Sequence, residues 1–238
     1  MAVTHIASAT PNEADPTTTF TLTIPATVVT GDDLYVFAVS RNGGGANATI
    51  ADDDTGGDAW TEFGDTGTNV FTCFHKKATS GTAGKTITIS DCVGSAAGGL
   101  SVYRGAAAGD PTTDVSIELN SPGSDKTHAG FTPTNADSMI CLVIGQRGND
   151  ETVSSQTCTD PGALTQRFEN LSIGGNDTGC NHSSAPQIGG PTATGDFTWA
   201  QVNGQTNSVV WAIKPAADTT APPVPKIISD AVHRSHSW

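Results

Sequence analysis

Thr19-Phe20-Thr21-Leu22-Thr23-Ile24 places an apolar side chain at every second position with a threonine between. A period of two is that of a strand with one dry face and one wet face. Thr86-Ile87-Thr88-Ile89 repeats the device, and Val70 to Lys77 has a similar strand character. Leu34 to Val39, Met139 to Ile144 and Val209 to Ile213 are instead continuous short apolar runs. Such runs are expected of central strands covered on both sides, or of strands whose outer face meets another protein. Turn residues separate them at Thr30-Gly31-Asp32-Asp33, Asn42-Gly43-Gly44-Gly45, Ser121-Pro122-Gly123, Asp160-Pro161-Gly162 and Gly174-Gly175-Asn176-Asp177. Short strands with a turn signal about every ten residues predict an all-β, double-sheet antiparallel β-sandwich of jelly-roll-like type. No amphipathic helix is expected before residue 220.

The run at Leu34 opens an internal repeat. Gly31 to Val39 lies over Asn135 to Val143, with Asp33 over Asp137 at an offset of 104 residues. At the same offset Thr55-Gly56-Gly57-Asp58-Ala59-Trp60-Thr61 lies over Thr159-Asp160-Pro161-Gly162-Ala163-Leu164-Thr165. Each half closes on an apolar strand with a basic residue, Leu100 to Arg104 and Val209 to Lys214, the second needing a few inserted residues. The repeat predicts two similar half-sets of strands that together make one double-sheet body, residues 1–215. Residues 216–225 are a Pro-rich linker. Residues 226–238 read as an extended or short helical tail with Ile227, Ile228 and Val232 at helical spacing, and with Trp238 at its end. Those four side chains are the expected partner-docking residues.

The chain of 238 residues carries 24 Asp+Glu against 11 Lys+Arg, a net charge of −13. That balance leaves no clustered basic footprint for nucleic acid. No apolar run approaches the roughly 20 residues of a membrane helix. The residues after Met1 lack the basic and apolar regions of a secretory signal, so the expected folding compartment is a cytoplasm. Five cysteines are an odd count for a closed disulfide framework. Cys73 and Cys141 sit in apolar runs and read as small buried hydrophobes. Cys158 and Cys180 lie in polar, loop-rich sequence and are the one pair for which a bridge is considered, free thiols being the favoured reading.

No catalytic pattern is present: no G-x-S-x-G elbow, no H-E-x-x-H and no phosphate-binding glycine loop. The expectation is therefore a non-enzyme with no resident cofactor. The densest group of chemistry-bearing residues is Asp52-Asp53-Asp54-Thr55-Gly56-Gly57-Asp58. Asp52, Asp54 and Asp58 are hard oxygen donors on a glycine-rich loop, the chemistry calcium prefers. The spacing is not that of an EF-hand, and a solvated acidic turn remains the simpler reading. Trp60 follows directly. It reads first as a core anchor and second as a platform on which a sugar ring would stack.

Several of these stretches together resemble a known module. Thr23-Ile24-Pro25-Ala26, Thr30 to Val36, Ala59-Trp60-Thr61, Lys76-Lys77-Ala78-Thr79, Ile87-Thr88-Ile89 and Tyr103-Arg104-Gly105-Ala106 look like a β-sandwich module of tailed-phage virion structural proteins. Thr132-Pro133-Thr134 to Trp211-Ala212-Ile213-Lys214-Pro215 looks like its closing part. The resemblance covers most of residues 19 to 215 and rests on strand and turn motifs, which carry fold more than function. It implies a component of the virion surface, assembled in the host cytoplasm: a capsid decoration, head-fibre or tail-fibre protein. Its partners would be capsid or other virion proteins and further copies of itself, trimers being one arrangement that threefold capsid sites would receive. The alternative expectation is a carbohydrate-binding, receptor-binding module of a tail or head fibre.

Overall fold

A computed structural model of the chain describes residues 1–217 except 14–17, 42–46, 55–56, 67–70, 121–124, 148–151, 173–177 and 202–203. The expected tail, with Ile227, Ile228, Val232 and Trp238, lies outside the described residues. The described chain is all-β and antiparallel, and no helix in it is long and apolar enough to cross a membrane.

The first half contributes β1 (Thr4–Ala9), β2 (Phe20–Thr23), β3 (Asp33–Ser40), β4 (Thr49–Asp52), β5 (Thr61–Asp65), β6 (Phe71–Lys77), β7 (Thr86–Ser90) and β8 (Ala96–Arg104). The second contributes β9 (Thr112–Asn120), β10 (Asp125–His128), β11 (Met139–Arg147), β12 (Ser154–Thr157), β13 (Thr165–Leu171), β14 (Thr178–Pro186), β15 (Phe197–Ala200) and β16 (Gln205–Ile213). The sheets of the first half run β1-β8-β3-β6-β5 and β2-β7-β4. Those of the second run β9-β16-β11-β14-β13 and β10-β15-β12, the same orders with eight added to every strand number. In each half the first strand pairs the last, the second the seventh and the third the sixth, the nested wrap of a jelly roll. The fifth strand joins the edge beside the sixth instead of pairing the fourth.

The repeat is real in the structure, but each copy is more than a half-set. Each is a complete double-sheet sandwich of five strands against three, and the two stand back to back through their five-stranded sheets. The result is four layers. The middle core joins Tyr35, Phe37, Val39, Phe71 and Tyr103 of one half to Met139, Cys141, Val143, Val209 and Trp211 of the other. A second core lies between the first half's sheets, with Phe20, Leu22, Leu34, Val36, Ile87 and Leu100. A third fills the second half with Ile140, Leu142, Ile144, Phe197, Trp199 and Val210.

This layering explains the two kinds of strand pattern. β3 and β11 are central in the inner sheets and buried on both faces, so their sequences are continuously apolar. β2 belongs to an outer three-stranded sheet and keeps one wet face. It pairs with β7, Phe20 opposite Ile89 and Leu22 opposite Ile87 on the dry side, Thr21 opposite Thr88 on the other. The offset of 104 residues also holds in three dimensions. Tyr35, Phe37 and Val39 face the middle core, as do Met139, Cys141 and Val143, their counterparts. All five cysteines are buried and free. Cys180 lies within β14, not in a loop, and no bridge joins it to Cys158.

Candidate functional site

The acidic stretch leaves β4 at Asp52 and returns to β5 after Trp60. What it wraps is Lys76, on β6. In that strand Phe74 and Lys76 share a face, and Phe74 belongs to the first half's core. Lys76 is therefore aimed at an apolar layer, and its side chain is only 1% exposed. A buried ammonium needs partners to offset its lost hydration. Lys76 Nζ donates to Asp52 Oδ2 at 2.7 Å and lies 3.4 Å from Asp54 Oδ2. The Trp60 indole nitrogen donates to the same Asp52 oxygen at 2.7 Å, and the ammonium sits 5.8 Å from the Trp60 ring centroid. Asp54 also accepts from Thr82 Oγ1 at 2.6 Å and from Thr79 Oγ1 at 3.3 Å. Gly57 lies close against the pair: a Cβ there would stand 2.5 Å from Lys76 Nζ and 2.6 Å from Asp54 Oδ2, so it would displace the ammonium and the carboxylate. The Thr82 hydrogen bond, then the nearby ammonium, hold the Asp54 carboxyl below its ordinary range against the opposing effect of burial.

Asp52 and Asp54 are thus brought together, but around a lysine. The ammonium takes the position at which calcium would need their oxygens. Asp58, the third expected ligand, is exposed and makes no part of the cluster. Among the described residues no group of three His, Cys, Asp or Glu side chains is arranged to hold a metal ion. Trp60 is half-buried against the first half's core with one face under Lys76, so it serves as the anchor rather than as an open platform.

Asp58 instead lines a neighbouring cleft of about 220 Å³ with Thr61, His75, Lys77, Gly109 and Asp110. Behind His75 and Lys77 of its lining lies the buried Asp33. That carboxylate accepts from Lys77 Nζ at 2.8 and 2.9 Å and lies 2.9 Å from His75 Nε2. His75 Nδ1 is 3.8 Å from Asp110. The mouth offers carboxylates and an ammonium to a hydroxyl-rich ligand. The role of these residues was hidden in the sequence: they come from β3, β6 and the junction of the halves, and only the sheet register joins them. Lys76 left one readable signal, its shared parity with Phe74.

A second, larger recess of about 580 Å³ lies where the ends of the described chain meet. Met1 and Ala2, the turn at Asn135–Asp137, Pro186–Ile188 and Lys214–Ala217 line it. The Met1 ammonium donates to the Ala216 carbonyl at 3.2 Å, and Ala216 N–H donates to Gly105 O at 2.8 Å. Ile188 stands 87% exposed at its rim. Residue 217, on this wall, is the last described. Neither a family model, nor a curated protein, nor a solved structure matches the chain.

Proposed function

We propose that this chain is a structural protein of a phage particle's surface, a capsid decoration or head-fibre component that acts through contacts with neighbouring subunits. The observation that carries the reading is the recess between Met1 and residues 214–217. Apolar side chains of Met1, Ala2, Pro186, Ile188 and Pro215 surround the point at which the described body ends. The tail's Ile227, Ile228, Val232 and Trp238 would anchor the body to a neighbour, each buried side chain contributing about 1.5–3 kcal/mol before ordering costs. The resemblance of residues 19 to 215 to virion modules supports the same setting, and the net charge of −13 favours a surface that stays clear of packaged nucleic acid. Deleting residues 216–238 is expected to leave the body folded but absent from purified particles. Full occupancy by the truncated protein refutes the anchoring role.

The polar cleft beside Asp58 favours one second reading, a carbohydrate-binding module. Because Lys76 already occupies Asp52 and Asp54, glycan binding there would not need calcium. A glycan array is expected to give the same hits with and without a chelator, and to lose them with Asp58→Ala combined with Asp110→Ala. Hits that survive the double substitution place the sugar elsewhere.

A further inference from the structure

Among the described residues β9 is an edge strand of the second half's five-stranded sheet. Its apolar side chains all fall on one face: Val115, Ile117 and Leu119 are 38%, 37% and 59% exposed. Ile117 and Leu119, spaced by two, form a row, and Val115 adjoins it from a bulge at Asp114 and Val115. The polar side chains between them are used within the chain. Asp114 accepts from the Thr134 backbone N–H at 2.8 Å and from its hydroxyl at 2.6 Å. The Ser116 hydroxyl lies 3.1 Å from His128 Nε2, and Glu118 accepts from the Ala129 N–H at 2.8 Å. Ile117 pairs with Val209 and Leu119 with Asn207, and the ladder shifts register only beyond Ser116, where Asp114 and Val115 lie between the partners of Val210 and Ala212. The fold does not demand it. β1 holds the same place in the first half, and none of its residues is a large exposed hydrophobic. An open edge carrying an apolar row is a template for strand pairing.

We propose that β9 pairs with β9 of a second copy of this chain, antiparallel about a twofold axis through Ile117. The pattern is complementary to itself in that register. Ile117 meets Ile117 of the second copy, Leu119 faces the bulged stretch at Val115, and on the other face Ser116 meets Glu118, so neither pair on that side sets two carboxylates opposite each other. This matters in a chain of net charge −13, whose copies repel over most of their surface. The contact fuses two five-stranded sheets into one of ten strands. It supplies the self-association that the subunit-contact reading above calls for and takes its biological setting from that reading. The two can fail separately, since the dimer is read on the isolated chain and the anchor on particles carrying the tail deletion.

The test is sedimentation of the full chain over a micromolar to millimolar range, beside Ile117→Lys and Leu119→Lys. The wild type is expected at twice 24.2 kDa and both variants at 24.2 kDa, with unchanged circular dichroism and melting temperature. Oxidation supplies the register. Ile117→Cys is expected to give a covalent dimer, because paired positions across an antiparallel ladder lie within disulfide reach. Val115→Cys is expected to give none, since Leu119 faces it, and the five native thiols are buried and do not compete. A wild type that stays monomeric throughout, an assembly that Ile117→Lys leaves intact, or a Val115→Cys dimer as abundant as that of Ile117→Cys overturns the proposal.

Discussion

Lys76 shows how a single side chain can decide what an acidic loop is for. Its ammonium is held by Asp52 and Asp54, with Trp60 over one side and Thr79 and Thr82 on the far carboxylate. Removing the cation leaves two carboxylates in a dry site with no counter-charge. Lys76→Met is therefore expected to lose about 3–5 kcal/mol in chemical denaturation. Adding Asp52→Asn and Asp54→Asn to that variant is expected to restore much of the loss, because the uncompensated charge is then gone. A triple variant as unstable as the single one shows that packing, not charge, sets the penalty. The sequence displayed the acids plainly but not their partner, which lies more than twenty positions away and whose burial only the strand register reveals. For the same reason His75 gave no advance notice as the wall of a cleft, nor Asp33 as the buried partner behind it.

β8 teaches the opposite lesson about glycine. At turns glycine supplies backbone freedom, as at Gly31, whose φ of +90° only glycine adopts without strain. Gly98 and Gly99 instead stand mid-strand, in the inner sheet that both neighbouring layers must approach. A Cβ on Gly98 would collide with the Phe37 carbonyl and come within 2.5 Å of the Phe20 ring, while one on Gly99 would come within 2.5 Å of Phe168. One glycine thus admits the outer sheet and the other admits the second half. Gly98→Ala is expected to cost about 1–3 kcal/mol through overpacking. Gly190→Ala, which meets nothing within 4 Å, is expected to change stability by less than about 0.5 kcal/mol. Equal melting temperatures for the two variants would refute the steric account. The strands themselves were legible: the alternation at Phe20 to Ile24 and at Ile87 to Ile89, and the apolar runs at Leu34, Met139 and Val209, all reappear as strands in the expected class of sheet. The small-residue start of β8 was not, since glycine and alanine carry no periodic signal.

The two sandwiches are locked together by a polar contact as well as by packing. In the middle core the His182 ring stacks on Trp211, and its Nδ1–H donates to the Leu142 carbonyl at 3.0 Å. Its other nitrogen accepts from the Tyr103 hydroxyl of the first half at 2.7 Å. Burial pushes the His182 imidazole down to about 3, and burial with Arg167 nearby lowers His5 to about 4. Both rings are neutral in the folded protein at pH values where the unfolded chain protonates its histidines. Their contribution to stability is complete above about pH 6.5 and is lost progressively as pH falls toward those folded values. By pH 4.5 His182 alone is expected to cost about 2–3 kcal/mol at 1.36 kcal/mol per unit, seen as a melting temperature lower by about 5–10 °C. His182→Gln is expected to flatten that slope, and a variant that keeps the full slope would place its origin elsewhere. The lowered Asp54 acts in a separate window, its contribution being present above the usual carboxyl range and lost only below about pH 4. The duplication could be read from the offset of 104 residues. That each copy closes as its own sandwich could not, because alternation reports which face of a strand is dry but not which sheet covers it.

The Met1 ammonium and the Ala216 carbonyl stand 3.2 Å apart, beside the place where Gly105 and Ala106 hand the chain from one sandwich to the next. Residues 1–216 therefore return to their own starting point, beside the crossing between the two sandwiches. Which sandwich is synthesised first is then immaterial to the pairing of any strand, and a coding sequence with the two halves exchanged and joined by a short peptide would specify the same stack of four sheets.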